Sequence, residues 1–522
     1  MFQWYGKWKE WFFGWLGPAN ERVSDWLAAF AKRFPRTARF FGIVRKRRRP
    51  LAILLSVILH IVGFFFSIEA VMQTRTEQGT VAWAIALNTV PLVAVPGWLV
   101  FGDSEFGEYI TTRRAGLEEV RPVAERLIGN LTEAETPAAT EHPTMKVLEK
   151  LASIPAMKGN KAELLVDGKN TFKSIFDEIE IAENYILVQF YIVRADETGG
   201  KLKDLLIEKA KEGVRVYVLV DDVGSSKLPV EYFNEMREAG IEARYFMDFS
   251  EDANRFQLNF RNHRKIVVVD GKTGYLGGHN VGDEYLGMHP TLTPWRDSHM
   301  RLTGPVVKSI QIPFVEDWHW ATGELLEDLE WEVGADGFTG GMEAICLASG
   351  PADPVETCSM FFLTAINNAK KRVWIATPYF VPDDKMVTAI QMAAIRGVDV
   401  RIIMPELVDS ELVYLSSFSY LEEFGKTGAK LYRYQKGFMH QKVVLIDDEI
   451  SCIGSANFDN RSFRLNFEVI GIVHDTGFNS EVAEMLEQDI ADSRRVGAED
   501  YVEKDFIFRL KVRLARLLAP IQ

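Results

Sequence analysis

Hydrophobic and polar positions divide this chain into distinct regimes. Two long apolar runs stand near the start, eighteen residues over 51–68 and twenty-one over 81–101. Ser56 and His60 are the clearly polar members of the first; Asn88, Thr89, Pro91 and Pro96 interrupt the second. Each is about long enough to cross a hydrocarbon core of roughly 30 Å. The pattern predicts a two-helix transmembrane hairpin over 50–102, with Pro91 and Pro96 kinking the second helix. His60 reads as an interfacial or bundle-facing residue, not a ligand. A cleaved signal peptide does not fit, because the first run begins fifty residues in. Residues 103–160, with a polar stretch, Pro143 and Pro155, read as a connector.

From about residue 161 the pattern changes to short apolar blocks alternating with helical periodicity. Residues 185–193 read as a strand, 201–212 as a helix and 214–220 as a strand. The same order returns at 373–381, 384–396 and 398–404, with Tyr191 matched by Tyr379 and Gly213 by Gly397. Such alternation predicts an α/β fold. Two repeats over 161–337 and 338–500 would pack about a pseudo-twofold axis, with the site at their junction. Residues 501–522 close the chain with an apolar stripe of Phe506, Leu510, Leu514, Leu517 and Leu518, while Arg509, Arg513 and Arg516 lie elsewhere on the helix. This helix fits an anionic lipid surface and fits docking on the catalytic core equally well.

The repeat is chemical as well as structural. His263, Lys265 and Asp270 recur as His440, Lys442 and Asp447, 177 residues later. The segments HRKIVVVDGKTGYLGGHN and HQKVVLIDDEISCIGSAN align without a gap, and Gly277/Gly454 and Asn280/Asn457 also match. A single His-x-Lys is usually a solvated strand edge. Two copies whose matched residues are mostly polar and reactive point to one site built from two halves. If each histidine opens a buried strand, His263 and Lys265 share a face, as do His440 and Lys442. Asp270 and Asp447 fall at the following turn and read as support for the motif, since Asp270-Gly271 and Asp447-Asp448 suit a hairpin.

Charge sets the compartment. A net charge of −13 argues against general nucleic-acid binding. Residues 1–49 nevertheless hold twelve Lys and Arg against three acids. Trp4, Trp8, Trp11, Phe12 and Trp15, continued by Trp26, Phe30 and Phe34, give that segment the character of a basic interfacial extension. Arg45, Lys46, Arg47, Arg48 and Arg49 precede the first apolar run, Arg113 and Arg114 follow the second, and the loop between carries only Arg75. The positive-inside rule then places both termini and the catalytic part in the cytoplasm. Cys346, Cys358 and Cys452 show neither metal-ligand spacing nor a disulfide framework, and no metal or other cofactor is expected.

Two histidines facing across a phosphate can divide phosphodiester transfer into two steps. One imidazole attacks phosphorus while the other serves as acid, then base. Lys265 and Lys442 would neutralise the non-bridging oxygens, with Asn280, Asn457 and Ser455 as phosphate-binding donors. The residues themselves reach membrane-bound, metal-independent phosphodiester transfer.

The doubled motif resembles the phospholipase D superfamily, and the surrounding text is similar to the bacterial cardiolipin synthases in particular. The resemblance rests on ILVQFYIV, NHRKIVVVDG, LGGHNVGDEY, WRDSHMRLTGPVV, ATPYFVPDD, RGVDVRIIMP, GSANFDNRSFRLNFE and ARLLAPI, and spans roughly residues 50–522. It implies two phospholipase D-like repeats in a bacterial inner-membrane enzyme. That enzyme would transfer a phosphatidyl group between two phosphatidylglycerol molecules, with anionic phospholipid and no nucleic acid as partner. Hydrolysis, or phosphatidylethanolamine as a second substrate, would use the same site; a membrane-tethered nuclease fits the charge less well. The resemblance also implies an orienting acid about thirty residues after each histidine. Asp297 stands 34 after His263 and Glu468 stands 28 after His440. By analogy the first motif supplies the nucleophile, His263.

Overall fold

The structure, a computed structural model, describes residues 35–73, 77–102, 129, 141–247, 260–326, 328–332 and 339–522. The aromatic residues assigned to the interfacial extension, Trp4 to Phe34, lie outside the described residues. The chain forms two compact units, residues 1–104 and 105–522.

In the first unit a helix over Pro35–Gln73 contains one stretch, Ile53–Met72, long and apolar enough to cross a membrane. Among the described residues it is the one helix that meets that test. The second apolar run differs from expectation. It divides at Val90 into helices Glu77–Thr89 and Pro91–Phe101, of 13 and 11 residues. Pro91 causes the division: it has no N–H to continue the ladder and occupies the first turn of the new helix. Pro96, by contrast, sits inside that helix. Both short helices pack on the long one. Gly63 permits the approach, since a Cβ there would lie 2.2 Å from the Leu87 carbonyl oxygen. Trp98 donates its indole N–H to Glu69 at 3.3 Å.

The second unit is built on one sixteen-stranded sheet. Two further two-stranded sheets accompany it among the described residues. The first half of the unit contains β1 (Met157–Val166), β2 (Tyr185–Phe190), β3 (Arg215–Val220), β4 (Glu242–Tyr245), β5 (Arg261–Asn262), β6 (Ile266–Val269), β7 (Thr273–Gly277), β8 (Trp295–Arg296) and β9 (Ser298–Thr303). The second half contains β10 (Met342–Ser349), β11 (Arg372–Ala376), β12 (Phe380–Val381), β13 (Asp399–Pro405), β14 (Lys430–Tyr434) and β15 (Phe438–Met439). It continues with β16 (Val443–Ile446), β17 (Ile450–Gly454), β18 (Phe458–Asp459), β19 (Asn466–His474) and β20 (Ser493–Val496).

Strand order shows the repeat directly. From the centre outward the first half runs β1-β9-β7-β6-β2-β3-β4, and the second runs β10-β19-β17-β16-β11-β13-β14, with β20 added at the edge. Corresponding neighbours share the same sense: β2–β3 and β11–β13 are parallel, while β6–β7 and β16–β17 are antiparallel. β1 pairs with β10 antiparallel, so a pseudo-twofold axis passes between them. Strands β2, β6, β11 and β16 are buried along their whole length except at Arg372. That is why their sequences are near-continuous apolar runs, broken only by Gln189 and Arg372.

The start of this unit differs from the sequence reading. β1 opens at Met157, and the expected connector contains a helix, Pro143–Ala152, capped by His142. Met145, Leu148, Ile154 and Ala156 enter the same core as Phe361, Phe362 and Ile366 of the second half. This segment therefore belongs to the folded body.

Candidate active site

The two motifs are held by equivalent local structures. After β6 the chain turns through Asp270 (φ 53°) and Gly271 (φ 62°), and after β16 through Asp447 (φ 52°). Both aspartates adopt the left-handed conformation that Asp tolerates better than most residues. The Asp270 carboxylate accepts the N–H groups of Glu183, Asn184 and Tyr185 at 2.7–2.9 Å. Asp447 accepts those of Lys370, Lys371 and Arg372 at 2.6–3.1 Å. Each aspartate thereby fixes the entry of the neighbouring strand, β2 or β11. Their carboxylates are committed to backbone N–H groups at the strand entry and do not reach the histidines' side of the motif as reacting groups.

The histidines stand just before their strands, not in them. β6 begins at Ile266 and β16 at Val443. The expected sharing of a strand face is replaced by a direct bond. Lys265 donates its Nζ to the carbonyl of His263 at 2.6 Å, and Lys442 does the same to His440 at 2.6 Å. All four side chains are buried.

The orienting acids exchange partners. His263 Nδ1 meets Glu468 at 2.9 Å, and His440 Nδ1 meets Asp297 at 2.8 Å. Each histidine is held by the acid of the other half, which corrects the expectation of an acid downstream in the same repeat. The cause is visible in the strands. β5, just before His263, pairs with Asn466 and Phe467, just before Glu468. β15, just before His440, pairs with Trp295 and Arg296, just before Asp297. His263 N–H donates to Phe467 O at 2.9 Å, and His440 N–H to Arg296 O at 2.7 Å. The two halves trade short strands, and the acids follow.

The carboxylates have unlike surroundings. Glu468 accepts the Ser455 hydroxyl at 2.5 Å, the Ser462 hydroxyl at 2.8 Å and the Asn466 amide at 3.1 Å. Ser455, expected to bind phosphate, also accepts the Val469 N–H, so its hydroxyl serves Glu468. The matching position in the first half is Gly278, where a Cβ would lie 2.1 Å from Asp297 Oδ1. Only glycine lets Asp297 approach that closely. Asp297 accepts the Ser298 N–H at 2.8 Å. Burial alone would raise the Glu468 pKa, but His263, Lys265 and Ser455 overcome it and hold the carboxyl at about 2. Burial wins at Asp297, whose pKa is raised despite His279 and Lys442.

Burial also governs the bases. It lowers His263 to about 4 against the pull of Glu468, and holds His440 well below 6.5 with Lys442 and Lys265 adding to the effect. Lys265 falls to about 7 and Lys442 to about 8, chiefly by burial. Charge on Lys265 and His263 bears on His440, and charge on Lys442 bears on His263, so the two motifs share one electrostatic site. Both imidazoles are neutral near pH 7, as a nitrogen nucleophile must be.

Asn280 and Asn457 flank the site from equivalent positions. Asn280 accepts the Ile192 N–H at 3.1 Å and donates to Tyr285 at 3.3 Å. Asn457 is buried, and its amide oxygen meets no donor among the described residues. Side chains without a sequence assignment complete the walls. Tyr191 packs edge-on to His263 with ring centres 5.0 Å apart and lies 5.5 Å from Lys265 Nζ. Trp295 and Phe438 stand 5.2 and 5.8 Å from His440. Among these the sequence offered a signal for Tyr191 through its match with Tyr379, and none for the aromatic pair. Ser462 and Asn466 lie within the quoted stretch GSANFDNRSFRLNFE, but spacing alone did not reveal their carboxylate partner.

Residues 175–289 and 362–490 match a family model described as cardiolipin synthase, phospholipase D-like domain. A cardiolipin synthase A of Pseudomonas entomophila is 45% identical over 473 residues, covering 89% of this chain and 97% of the relative. The chain belongs to the cardiolipin synthase family. A cardiolipin synthase A of Pseudomonas fluorescens is 46% identical over 470 residues, covering 90% of this chain and 98% of the relative. A crystal structure of phosphatidylserine synthase from Haemophilus influenzae matches with TM-score 0.57 and 16% identity, over 73% of this chain and all of that one. At that identity the likeness speaks for the fold.

Proposed function

We propose that this protein is a cardiolipin synthase that joins two phosphatidylglycerol molecules through a phosphohistidine. The observation carrying this reading is the pair of buried histidines, each bonded to the acid of the opposite half and each beside a lysine. His263 Nε2 attacks the phosphodiester phosphorus, and the bond to the glycerol oxygen breaks. His440, which takes up a proton as the anionic phosphodiester binds beside it, gives that proton to the glycerol oxygen, and glycerol leaves. The headgroup hydroxyl of a second phosphatidylglycerol then gives its proton to His440 and attacks phosphorus. Cardiolipin forms and His263 is released. Lys265 and Lys442 offset charge on the non-bridging oxygens, and Asn280 and Asn457 donate hydrogen bonds to them. Glu468 and Asp297 act through the histidines, fixing ring orientation and tautomer.

The apolar helix and basic flanks support a setting in the bacterial inner membrane. In this proposal the long helix and the pair folded on it cross as a hairpin, with both termini and the catalytic unit cytoplasmic. The test is product analysis with labelled phosphatidylglycerol in reconstituted vesicles, with and without labelled phosphatidylethanolamine. Cardiolipin and glycerol in equal amounts from phosphatidylglycerol alone support the reading. Phosphatidic acid as the main product would convert it to a hydrolase.

A further inference from the structure

The closing helix, Phe506–Leu517, is capped by Asp505, whose carboxylate accepts the Phe508 N–H at 2.9 Å. Its sequence left lipid contact and core docking equally open; the structure uses two different faces. Val512 and Ala515 are buried in the core of the second half, and Phe508 packs edge-on to Phe418 at 5.1 Å. Opposite them Phe506, Ile507, Leu510, Leu514, Leu517 and Leu518 form a second apolar stripe, from 45% exposed at Leu510 to 74% at Leu517. A helix that needs only to dock has no use for two apolar stripes.

Basic residues border the outer stripe. Lys511 lies on one side, and Arg509 and Arg513 on the other, about 100° per residue apart around the helix. Arg516 is held against the body, 3.9 Å over the Tyr420 ring. The whole chain carries −13, so this concentration of cations runs against its composition. An apolar strip edged with Lys and Arg complements an anionic bilayer surface.

We propose that this helix lies in the headgroup plane of an anionic bilayer and seats the catalytic unit on its substrate surface. The choice of a lipid occupant rests on the phosphatidyl-transfer reading above. The helix is also joined to the site. Its continuation gives carbonyls to the segment that supports Glu468: Asn460 Nδ2 donates to Ala519 O at 3.0 Å, and the Arg461 N–H to Gln522 O at 2.8 Å. The next residue, Ser462, bonds Glu468. The surface-bound helix and the orienting acid of His263 are thus connected through three consecutive residues.

The test uses the full chain reconstituted in vesicles, with Leu510→Cys or Leu514→Cys carrying an environment-sensitive fluorophore. The three native cysteines are buried and leave the labelling specific. A label at exposed Lys211→Cys serves as control. With phosphatidylglycerol-containing vesicles, doxyl lipid should quench the labels at 510 and 514 several-fold more than the control, and the excess should shrink in pure phosphatidylcholine. Quenching equal to the control overturns the proposal. So does a label shielded from both lipid and aqueous quenchers, which would mean that protein covers the face; cross-linking between chains through Leu514→Cys would identify a second copy. In parallel, Leu510→Ser/Leu514→Ser should reduce turnover on vesicles roughly tenfold, leaving turnover of short-chain soluble phosphatidylglycerol unchanged. Equal loss on both substrates also overturns it. Lipid quenching in a chain without phosphatidyl transfer would instead sink the enzymatic reading and leave the surface assignment standing.

Discussion

Glu468→Gln and Asp297→Asn test the exchange of acids between halves. Glu468 is fully buried and held at about 2 against an ordinary 4.5. That difference corresponds to about 3 kcal/mol favouring the carboxylate, at 1.36 kcal/mol per unit. Glutamine keeps the shape but loses the charge, which is also the largest counter-charge of Lys265. It therefore weakens both the imidazole's orientation and the lysine's charge. A loss of roughly 10³–10⁴-fold in the step using His263 is expected, by comparison with orienting acids in hydrolytic triads. Asp297→Asn should act in the same way on His440 and Lys442, whose largest counter-charge is Asp297. The assay uses an aryl phosphodiester, whose leaving group needs no proton. Rapid quench measures phosphohistidine formation and breakdown separately, and peptide mapping locates the label. With His263 as nucleophile, Glu468→Gln should suppress formation, while Asp297→Asn should spare formation and slow breakdown. Label on His440 would reverse the nucleophile, and the severe variant should then become Asp297→Asn. The exchange itself is refuted if the variant that blocks formation lies in the same half as the labelled histidine.

Other outcomes follow from the same geometry. Inorganic phosphate should bind about tenfold more weakly at pH 9 than at pH 7, because Lys265 and Lys442 lose protons near 7 and 8 and an anion favours their charged forms; titration calorimetry in two buffers should show proton uptake on binding. Glu468 contributes stability that is fully present above about pH 4.5 and is lost as pH falls towards 2, so Glu468→Gln should flatten acid unfolding over that window, read by intrinsic fluorescence. Asp270→Ala and Asp447→Ala leave three strand-entry N–H groups without their acceptor and should each destabilise by about 2–4 kcal/mol, lowering the melting temperature while the folded fraction keeps its turnover. Reporter fusions at residues 20 and 520 should both read cytoplasmic; a periplasmic signal from either removes the hairpin topology.

The symmetric parts of this structure were legible because repetition writes them twice. The gap of 177 residues between the histidines is also the gap between Arg261 and Phe438, the first residues of β5 and β15. Asp270 and Asp447 could be placed at turns because a buried strand of four residues must end near them. The division at Val90 was partly visible in Pro91, but proline alone does not distinguish a kink from two helices. That outcome depends on packing against the long helix, and periodicity does not report it.

What spacing could not give was pairing across the axis. Asp297 is 34 residues from His263 and 143 from His440, yet it serves the distant histidine. Sequence distance favours the near partner because loop closure costs more as chain length grows, but that cost rises only logarithmically. Once the large sheet has joined the halves, the remaining choice is local. β5 pairs beside the other half's Glu468 and β15 beside the other half's Asp297, and that hydrogen bonding fixes which histidine meets which carboxylate. The exchange has a chemical consequence. A half folded alone would carry a histidine without its acid and an acid without its histidine. Each reacting imidazole is therefore complete only when both repeats are docked, so the competence of the site is tied to assembly of the whole sheet.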